Sequence, residues 1–593
     1  MPPNAQNKIS SYFSISYTHI TYCIFSLFIL LYLASRVLYL DADVPQWLQS
    51  YMYPMDEMSY SATAVQAVHK YNSDVAPYQA MSPSTPFHDF SFTLHYVTDW
   101  TLRLFGNNYY GFRMPSVIMG LIIFSVMFNL LARRFGLIYA IAGCALLLCD
   151  YQFLLHNRVV DSTIHRMAGF WFLIFCFDRK FSSKDATPMY SLFLGCMTSF
   201  IAMYIYLTNF FILPAAIIVA ILTFDKDRLR HLKYFSLGII IVALPRIYSI
   251  FFDPFFFKLM PHIVARVATP DNSGSWSSLM AKMRWNILWS NAGIFLTYNW
   301  YLCPLFFKCI LYFMARKIWD VVTNKLTACL YIVILITGAY ICSDVLTEKE
   351  GVIAVTLCLF IPLAYFLFFL VRNWKRLFEI QRKLPIDTAV FVMYLFFFLQ
   401  TIFTNDSPHK KLIFLLPIFI YFILWGTHDV LRILHGLSSL AYLLRNHLSV
   451  LATILMFSSG IEDAALVSYE RIYKQPSYKL KNAMISLNTY KNEVFLGGWS
   501  HVFVLYNSIE PLFNYYWNMH TSPELYDSRM IEFGEKFYPR SVTIYETNEE
   551  GIERMKKLGY HLEKIIWKSN DQPYYPDYAL YRYGRTEPTQ RKF

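Results

Sequence analysis

The chain has little charge for its size. Asp, Glu, Lys and Arg make up 16% of its 593 residues, where a soluble protein carries about 25%. It has no Lys/Arg-rich stretch interleaved for a phosphate backbone, which argues against a nucleic-acid binder despite a net charge of +12. It has no cysteine between residues 24 and 143 and none after residue 358. All ten cysteines fall in or beside apolar runs, so no secreted disulfide scaffold is expected. The chain shows no internal repeat of the kind that marks many transporters. Gly497-Gly498 follows a strand-like run, but no GxGxxG accompanies it, so no nucleotide site is expected there.

What the chain has is length and apolar runs. It is 56% hydrophobic and 19% aromatic, with a mean hydropathy of +0.34. Runs of about 18–20 apolar residues, enough to cross a bilayer core, recur from Cys23 to about Gly460. In hydrocarbon only internally hydrogen-bonded backbone is tolerated, which favours helices. The expected fold is a polytopic α-helical membrane protein of about thirteen transmembrane helices, with a small C-terminal extracytoplasmic α/β domain. Spans are expected at about 18–40, 115–133, 136–155, 163–178, 189–206, 208–224, 234–252, 286–307, 326–343, 351–371, 387–404, 411–428 and 447–460. The stretch 189–224 reads either as two spans or as one kinked element. The first span, ending in Cys23–Leu40, lacks a small-residue cleavage pattern and reads as a retained anchor.

Basic residues set the orientation. With the N-terminus inside, the short inside segments collect 21 Lys and Arg, among them Arg133-Arg134, Arg179, Lys317 and Arg432. The outside segments between residues 41 and 411 hold 11, spread over more sequence. The expected topology is therefore N-terminus cytoplasmic and C-terminus outside, facing a periplasm or an endoplasmic reticulum lumen. The expected domains are a transmembrane domain over 1–460, with a first outer loop at 41–114, and an outer α/β domain over 461–593. In the latter, Val494–Leu496, Val542–Tyr545 and Tyr578–Tyr583 read as strands and Glu549–Leu558 as a helix.

Charged side chains at the outer boundary carry the candidate chemistry. Asp56-Glu57 lies in the first loop, ahead of a helical segment at Ser59–Tyr71. It reads as a general base with its neighbour, or as an acid pair favouring a helix N-terminus. Arg158 and Asp161 share one helical face by their Arg-x-x-Asp spacing. They read as a phosphate-binding Arg held by an acid, or as a structural ion pair. Pro408-His409-Lys410-Lys411 places cations ahead of a late span, to grip a lipid phosphate or to snorkel to headgroups. Arg266 is a weaker cation of the same kind. His88-Asp89 and His95 are possible metal ligands, but no second cluster completes a site. No metal and no other cofactor is expected, although a divalent ion stays possible.

An ordered set of short motifs then points to a family. Asp56-Glu57, Leu104-Phe105-Gly106-Asn107-Asn108, Gly111-Phe112-Arg113-Met114-Pro115-Ser116-Val117, Leu130-Leu131-Ala132-Arg133-Arg134-Phe135-Gly136 and Arg158-x-x-Asp161 resemble the GT-C glycosyltransferases. The branch they resemble is the glycosyltransferase 39-like group, which holds protein O-mannosyltransferases and bacterial aminoarabinose transferases. The resemblance covers about a third of the chain. It implies a polyprenyl- or dolichyl-phosphate sugar donor and inverting transfer on the outer or lumenal face. It implies that Asp56, with Glu57, activates the acceptor, and that Arg158, beside Asp161, and Lys410 or Lys411 serve the donor phosphate, with His409 and His88 as supporting residues. Two positions depart from the family pattern. His88-Asp89-Phe90 stands where relatives often have His-Pro-Pro-Leu, and Leu207-Thr208-Asn209 where they often have a Lys.

The expected function is transfer of a monosaccharide from that donor to a protein, lipid or glycan acceptor. A lipid-phosphate leaving group brings its own activation, so positioning, a base and cations suffice. The rival from another class is a transporter or flippase of a lipid-linked saccharide. That reading needs ionisable residues at mid-span, for which Arg166 and Arg246 are the candidates.

Overall fold

In the computed structural model, the described residues are 3–38, 40, 92–106, 108–158, 162–182, 187–205, 209, 211–224, 227–252, 302–347, 385–403 and 413–435, and in the tail 494–496, 510–511, 541–546, 556, 561–568 and 579–584. The chain divides into two compact units. One comprises Met1–Ser35, Ile118–His156 and Ser162–Ala464, the other Arg36–Val117, Asn157–Asp161 and Ala465–Phe593.

The helices are α1 (Pro3–Val37), α2 (Phe92–Phe105), α3 (Tyr109–Phe135), α4 (Leu137–Cys149), α5 (Tyr151–His156), α6 (Ser162–Ser182), α7 (Pro188–Phe200), α8 (Ile212–Thr223), α9 (Arg228–Phe252), α10 (Leu302–Val321), α11 (Lys325–Thr347), α12 (Pro385–Phe403) and α13 (Leu416–His435). Among the described residues, four helical stretches are long and apolar enough to cross a bilayer: His19–Val37, Tyr110–Phe135, Pro188–Ile205 and Ile413–Ile433. Three shorter apolar stretches, Leu137–Cys149, Ile212–Leu222 and Lys325–Thr337, accompany them. The protein is a polytopic helical membrane protein.

Two expected spans take a different form, and the stretch 189–224 resolves into the two elements of one expected alternative. The stretch 136–155 is two helices, α4 and α5, parted at Asp150, whose backbone is extended (φ −65°, ψ 123°). Asp150 Oδ1 accepts the Phe153 amide at 2.7 Å, so the residue that ends one helix caps the next. The stretch 189–224 is two elements: α7 runs into a π-turn at Ile201–Ile205, and α8 starts at Ile212. The helix α10 begins at Leu302 and runs to Val321, which takes Lys308, Arg316 and Lys317 into a helix where a surface segment was expected. The spans expected at 351–371 and 447–460 lie outside the described residues.

The core of the first unit is built from small-residue crossings and interlocked rings. α7 packs along α9, and a Cβ on Gly195 or Gly238 would overlap the Phe235 or Leu192 carbonyl of the other helix. Ser191 Oγ and His231 Nδ1 meet across the same crossing at 2.9 Å. Between α10, α12 and α13, Phe313 lies 5.2 Å from Phe391, 5.1 Å from Phe422 and 4.9 Å from Trp425 by ring centroids. Such pairs add about 0.5–1.5 kcal/mol each beyond their burial.

One end of this unit is laced by ion pairs. Arg133 reaches Asp178 of α6 at 2.6 Å, and Arg134 reaches Asp387 of α12 at 3.1 Å. Tyr421 of α13 donates to the other Asp387 oxygen at 2.6 Å. Asp429 accepts from Tyr312 at 2.8 Å and pairs with Arg432 at 3.1 Å and Arg316 at 3.5 Å. These pairs join the end of α3 to α6 at Asp178 and to α12 at Asp387.

In the second unit the tail strands form one five-stranded sheet, in the order β2-β1-β3-β5-β4. The strands are β1 (Val494–Leu496), β2 (Glu510–Pro511), β3 (Ser541–Glu546), β4 (His561–Lys568) and β5 (Ala579–Gly584). β1 pairs parallel with β2 and β3; β5 pairs antiparallel with β3 and β4. The three expected strands are present. Of the expected helix at Glu549–Leu558, only Lys556 is described, and it is helical.

Candidate functional site

The chain leaves its first helix at Val37 and is held there by arginines from distant parts of the sequence. Arg113 Nη1 donates to the Leu40 carbonyl at 2.9 Å, and Arg158 Nη1 to the Leu38 carbonyl at 2.5 Å. A helix C-terminus leaves carbonyls without intrahelical donors and carries partial negative charge, so cations favour it. Arg36, Arg113 and Arg158 are 0%, 1% and 4% exposed.

Local sequence puts Arg113 in place. Gly106, at φ 89°, closes α2, its amide bonding the Leu102 carbonyl at 2.9 Å. Asn108 then caps α3, accepting the Gly111 amide at 3.0 Å and donating to the Phe105 carbonyl at 2.8 Å. The Gly-Asn-Asn and Gly-Phe-Arg motifs are therefore the turn that launches α3 and the first turn that carries its buried arginine.

A second polar group lies within the first unit, around the π-turn. Arg166 Nε donates to Asn209 Oδ1 at 2.6 Å, and Asn209 Nδ2 donates to the Ile201 carbonyl at 3.3 Å. On the α9 side, the Arg246 guanidinium stands 5.5 Å from the Tyr204 ring centroid, and Tyr204 donates to the Val242 carbonyl at 3.1 Å. Arg166, Asn209 and Arg246 are 3%, 0% and 0% exposed. Arg166 sits in the second turn of α6, and Arg246 two turns from the end of α9. π-turns often mark functional positions in helices.

Of the residues singled out from sequence, Arg158 is described. Asp56, Glu57, His88, Asp161, Arg266, His409, Lys410 and Lys411 lie outside the described residues. Sequence reasoning passed over the arginine clamp on Leu38 and Leu40, and saw Asn209 only as a missing lysine. The available signal was a polar Thr208-Asn209 step between two apolar runs. It also passed over Asp41-Ala42-Asp43, an acid pair directly after the clamped Leu40; it too lies outside the described residues.

Residues 89–249 match the family model of the dolichyl-phosphate-mannose-protein mannosyltransferases. That segment is similar to the GT-C glycosyltransferases in this family match. It contains Arg113, Arg158, Arg166, Asn209 and Arg246. Two solved structures are similar to the chain. One is ArnT from Cupriavidus metallidurans in the apo state, at 11% identity and a TM-score of 0.45, covering 96% of this chain and 98% of that one. The other is ArnT from the same organism bound to undecaprenyl phosphate, at 12% identity and 0.45, covering 94% and 97%. No curated protein matches the chain.

Asn209→Ala tests the second group. It removes the acceptor of a buried charged donor, which costs about 2–3 kcal/mol. The expected result is a lower thermal midpoint in detergent, while Asn209→Asp, which keeps the acceptor, stays near the native value.

Proposed function

We propose that the protein transfers a monosaccharide from a polyprenyl- or dolichyl-phosphate donor to an acceptor hydroxyl or amine on the outer or lumenal face of its membrane, with inversion at the sugar. The observation that carries this reading is buried Arg158, anchored on the Leu38 carbonyl, in a segment that matches a family described by its dolichyl-phosphate-mannose chemistry. Leu38 precedes Asp56 by eighteen residues, so the anchor holds the root of the loop bearing the acid pair.

In this mechanism Asp56 takes the proton of the acceptor, and Glu57 orients it. The acceptor oxygen or nitrogen attacks the anomeric carbon. The bond from that carbon to the phosphate oxygen breaks, and the electron pair leaves with the polyprenyl phosphate. Arg158, with Asp161 beside it, meets the growing phosphate charge together with Lys410 or Lys411. Arg266, His88 and His409 have supporting places. Arginine suits this work because it stays charged and forks onto phosphate oxygens. The reading includes no metal. The N-terminus is cytoplasmic, and the tail sheet belongs to an outer domain near the acceptor.

The test is donor consumption by membranes holding the native chain, from a labelled set of polyprenyl-phosphate sugars. Arg158→Gln then raises KM for the consumed donor tenfold or more in folded protein. Unchanged donor KM would reduce Arg158 to a backbone clamp. No consumption of any donor, with labelled lipid crossing the membrane instead, would replace this reading with a flippase.

A further inference from the structure

The laced end of the first unit holds a lysine that the lacing leaves out. Lys317 of α10 is 2% exposed, and its Nζ has no hydrogen-bond partner among the described residues. Its described contact is with the Phe313 ring, whose centroid lies 5.3 Å from Nζ. A cation–π contact offsets only part of what burying an ammonium costs.

The charged groups facing Lys317 are Asp387, Asp320, Arg134 and Arg316. Neither carboxylate bonds it. Asp387 is taken up by Tyr421 and Arg134, and Asp320 pairs with Arg316 at 3.6 Å. Arg316 pairs also with Asp429 at 3.5 Å, so both arginines are taken up by carboxylates, and Lys317 is the cation of this cluster left without a hydrogen bond among the described residues. Arg134 and Arg316 are 27% and 28% exposed at their side chains, so the cluster opens at its edge.

The depth of the cluster identifies what could reach it. Arg134 lies in the last turn of the candidate span that ends at Phe135, and Asp429 in the last turns of the one that ends at Ile433. Asp387 lies in the first turn of α12. Span ends lie at the level of lipid headgroups, where basic pockets between helices receive anionic heads. A phosphodiester has one negative charge, which matches the one unbonded ammonium, and its free oxygens accept from a group with three donors.

We propose that Lys317, flanked by Arg134 and Arg316, binds the phosphate of an anionic phospholipid at this end of the bundle, a site separate from the transfer chemistry.

The test uses full-length protein in neutral detergent, titrated with phosphatidylglycerol, phosphatidylcholine or inorganic phosphate, and read by thermal midpoint and by lipid retained in native mass spectrometry. Native protein is expected to retain phosphatidylglycerol at tenfold lower concentration than phosphatidylcholine and to melt several degrees higher with it. Lys317→Met loses that preference, while Lys317→Arg keeps it. In detergent alone Lys317→Met melts at or above the native temperature, because it removes an unbonded buried charge. A Lys317-dependent shift with inorganic phosphate but not with lipid overturns the lipid source and leaves a soluble-phosphate site. A native chain that does not distinguish phosphatidylglycerol from phosphatidylcholine overturns the proposal whatever the variants do, as does equal lipid preference in Lys317→Met.

Discussion

Asp56→Asn is expected to lower the rate of sugar transfer by about 10²–10⁴-fold, the usual worth of a positioned general base. Asparagine matches aspartate in size and can still accept a hydrogen bond through its amide oxygen, but it cannot take a proton at working pH. Donor binding should survive, because the phosphate cations are untouched, so the loss falls on kcat and KM for the donor stays within about threefold of native. The pH profile gives an independent check. A base works deprotonated, so native transfer rises with pH through its pKa, and that acid limb disappears in Asp56→Asn. Glu57→Gln, which changes only an orienting neighbour, should keep the limb and lose about tenfold. A folded Asp56→Asn protein that transfers sugar at the native rate would exclude Asp56 as the base. Asp41 and Asp43, the other acids at the head of this loop, would then be the next to substitute.

How far the fold could be read in the sequence depended on what hydropathy measures. It finds the part of a helix that meets lipid and misses the parts held by caps or by other helices. The second span was read at 115–133, yet α3 begins at Tyr109, because Asn108 caps a polar, aromatic first turn that hydropathy excludes. The break at Asp150 was hidden because one acid among so many apolar neighbours barely moves a window average. Lys308, Arg316 and Lys317 were read as surface because charge usually means water; α10 continues through them, and Lys317 is buried. The strand β4, His-Leu-Glu-Lys-Ile-Ile-Trp-Lys, was missed for a different reason. Its register slips between Leu562 and Lys564 and again between Ile565 and Trp567, and such bulges destroy the two-residue alternation that marks a strand.

The candidate site was legible as residue types and much less so as contacts. Spacing suggested that Arg158 and Asp161 share one helical face, but Arg158 lies in the turn after α5, which ends at His156, and Asp161 lies outside the described residues. Spacing cannot show that Arg158 holds the Leu38 carbonyl, 120 residues away, or that Arg166 and Asn209, 43 apart, bond each other. Those pairings come from how helices pack. Arg113 was visible only as a letter in a motif, and its task at the end of α1 emerges only with the bond to Leu40.

Gly238→Leu is expected to prevent recovery of folded protein, and Gly238→Ala to melt well below native. In an exposed helix, replacing glycine by alanine stabilises by about 0.5–1 kcal/mol, so the sign of the alanine result is diagnostic. At Gly238 the added Cβ would overlap the Leu192 carbonyl, lie 2.8 Å from the Cys196 amide nitrogen and 3.1 Å from Gly195 Cα. All three are backbone atoms of α7, which cannot rotate aside as a side chain would. The only relief is to move α9 away from α7. That opens the closest crossing in the unit and forfeits the packing that drives helix association where both solvent and core are apolar. A leucine should therefore exceed about 4 kcal/mol, the upper range for single substitutions. The displacement also reaches the polar group at the π-turn, since Arg246 lies two turns beyond Gly238 on α9 and rests over Tyr204. Gly238→Ala should then lose transfer activity along with stability, whereas Ile240→Ala, a change at a half-exposed, lipid-side position of the same helix, should lose little of either. If Gly238→Ala melted above the native protein in detergent, the α7–α9 contact would not be the close crossing described, and the placement of Arg246 against Tyr204 would fall with it.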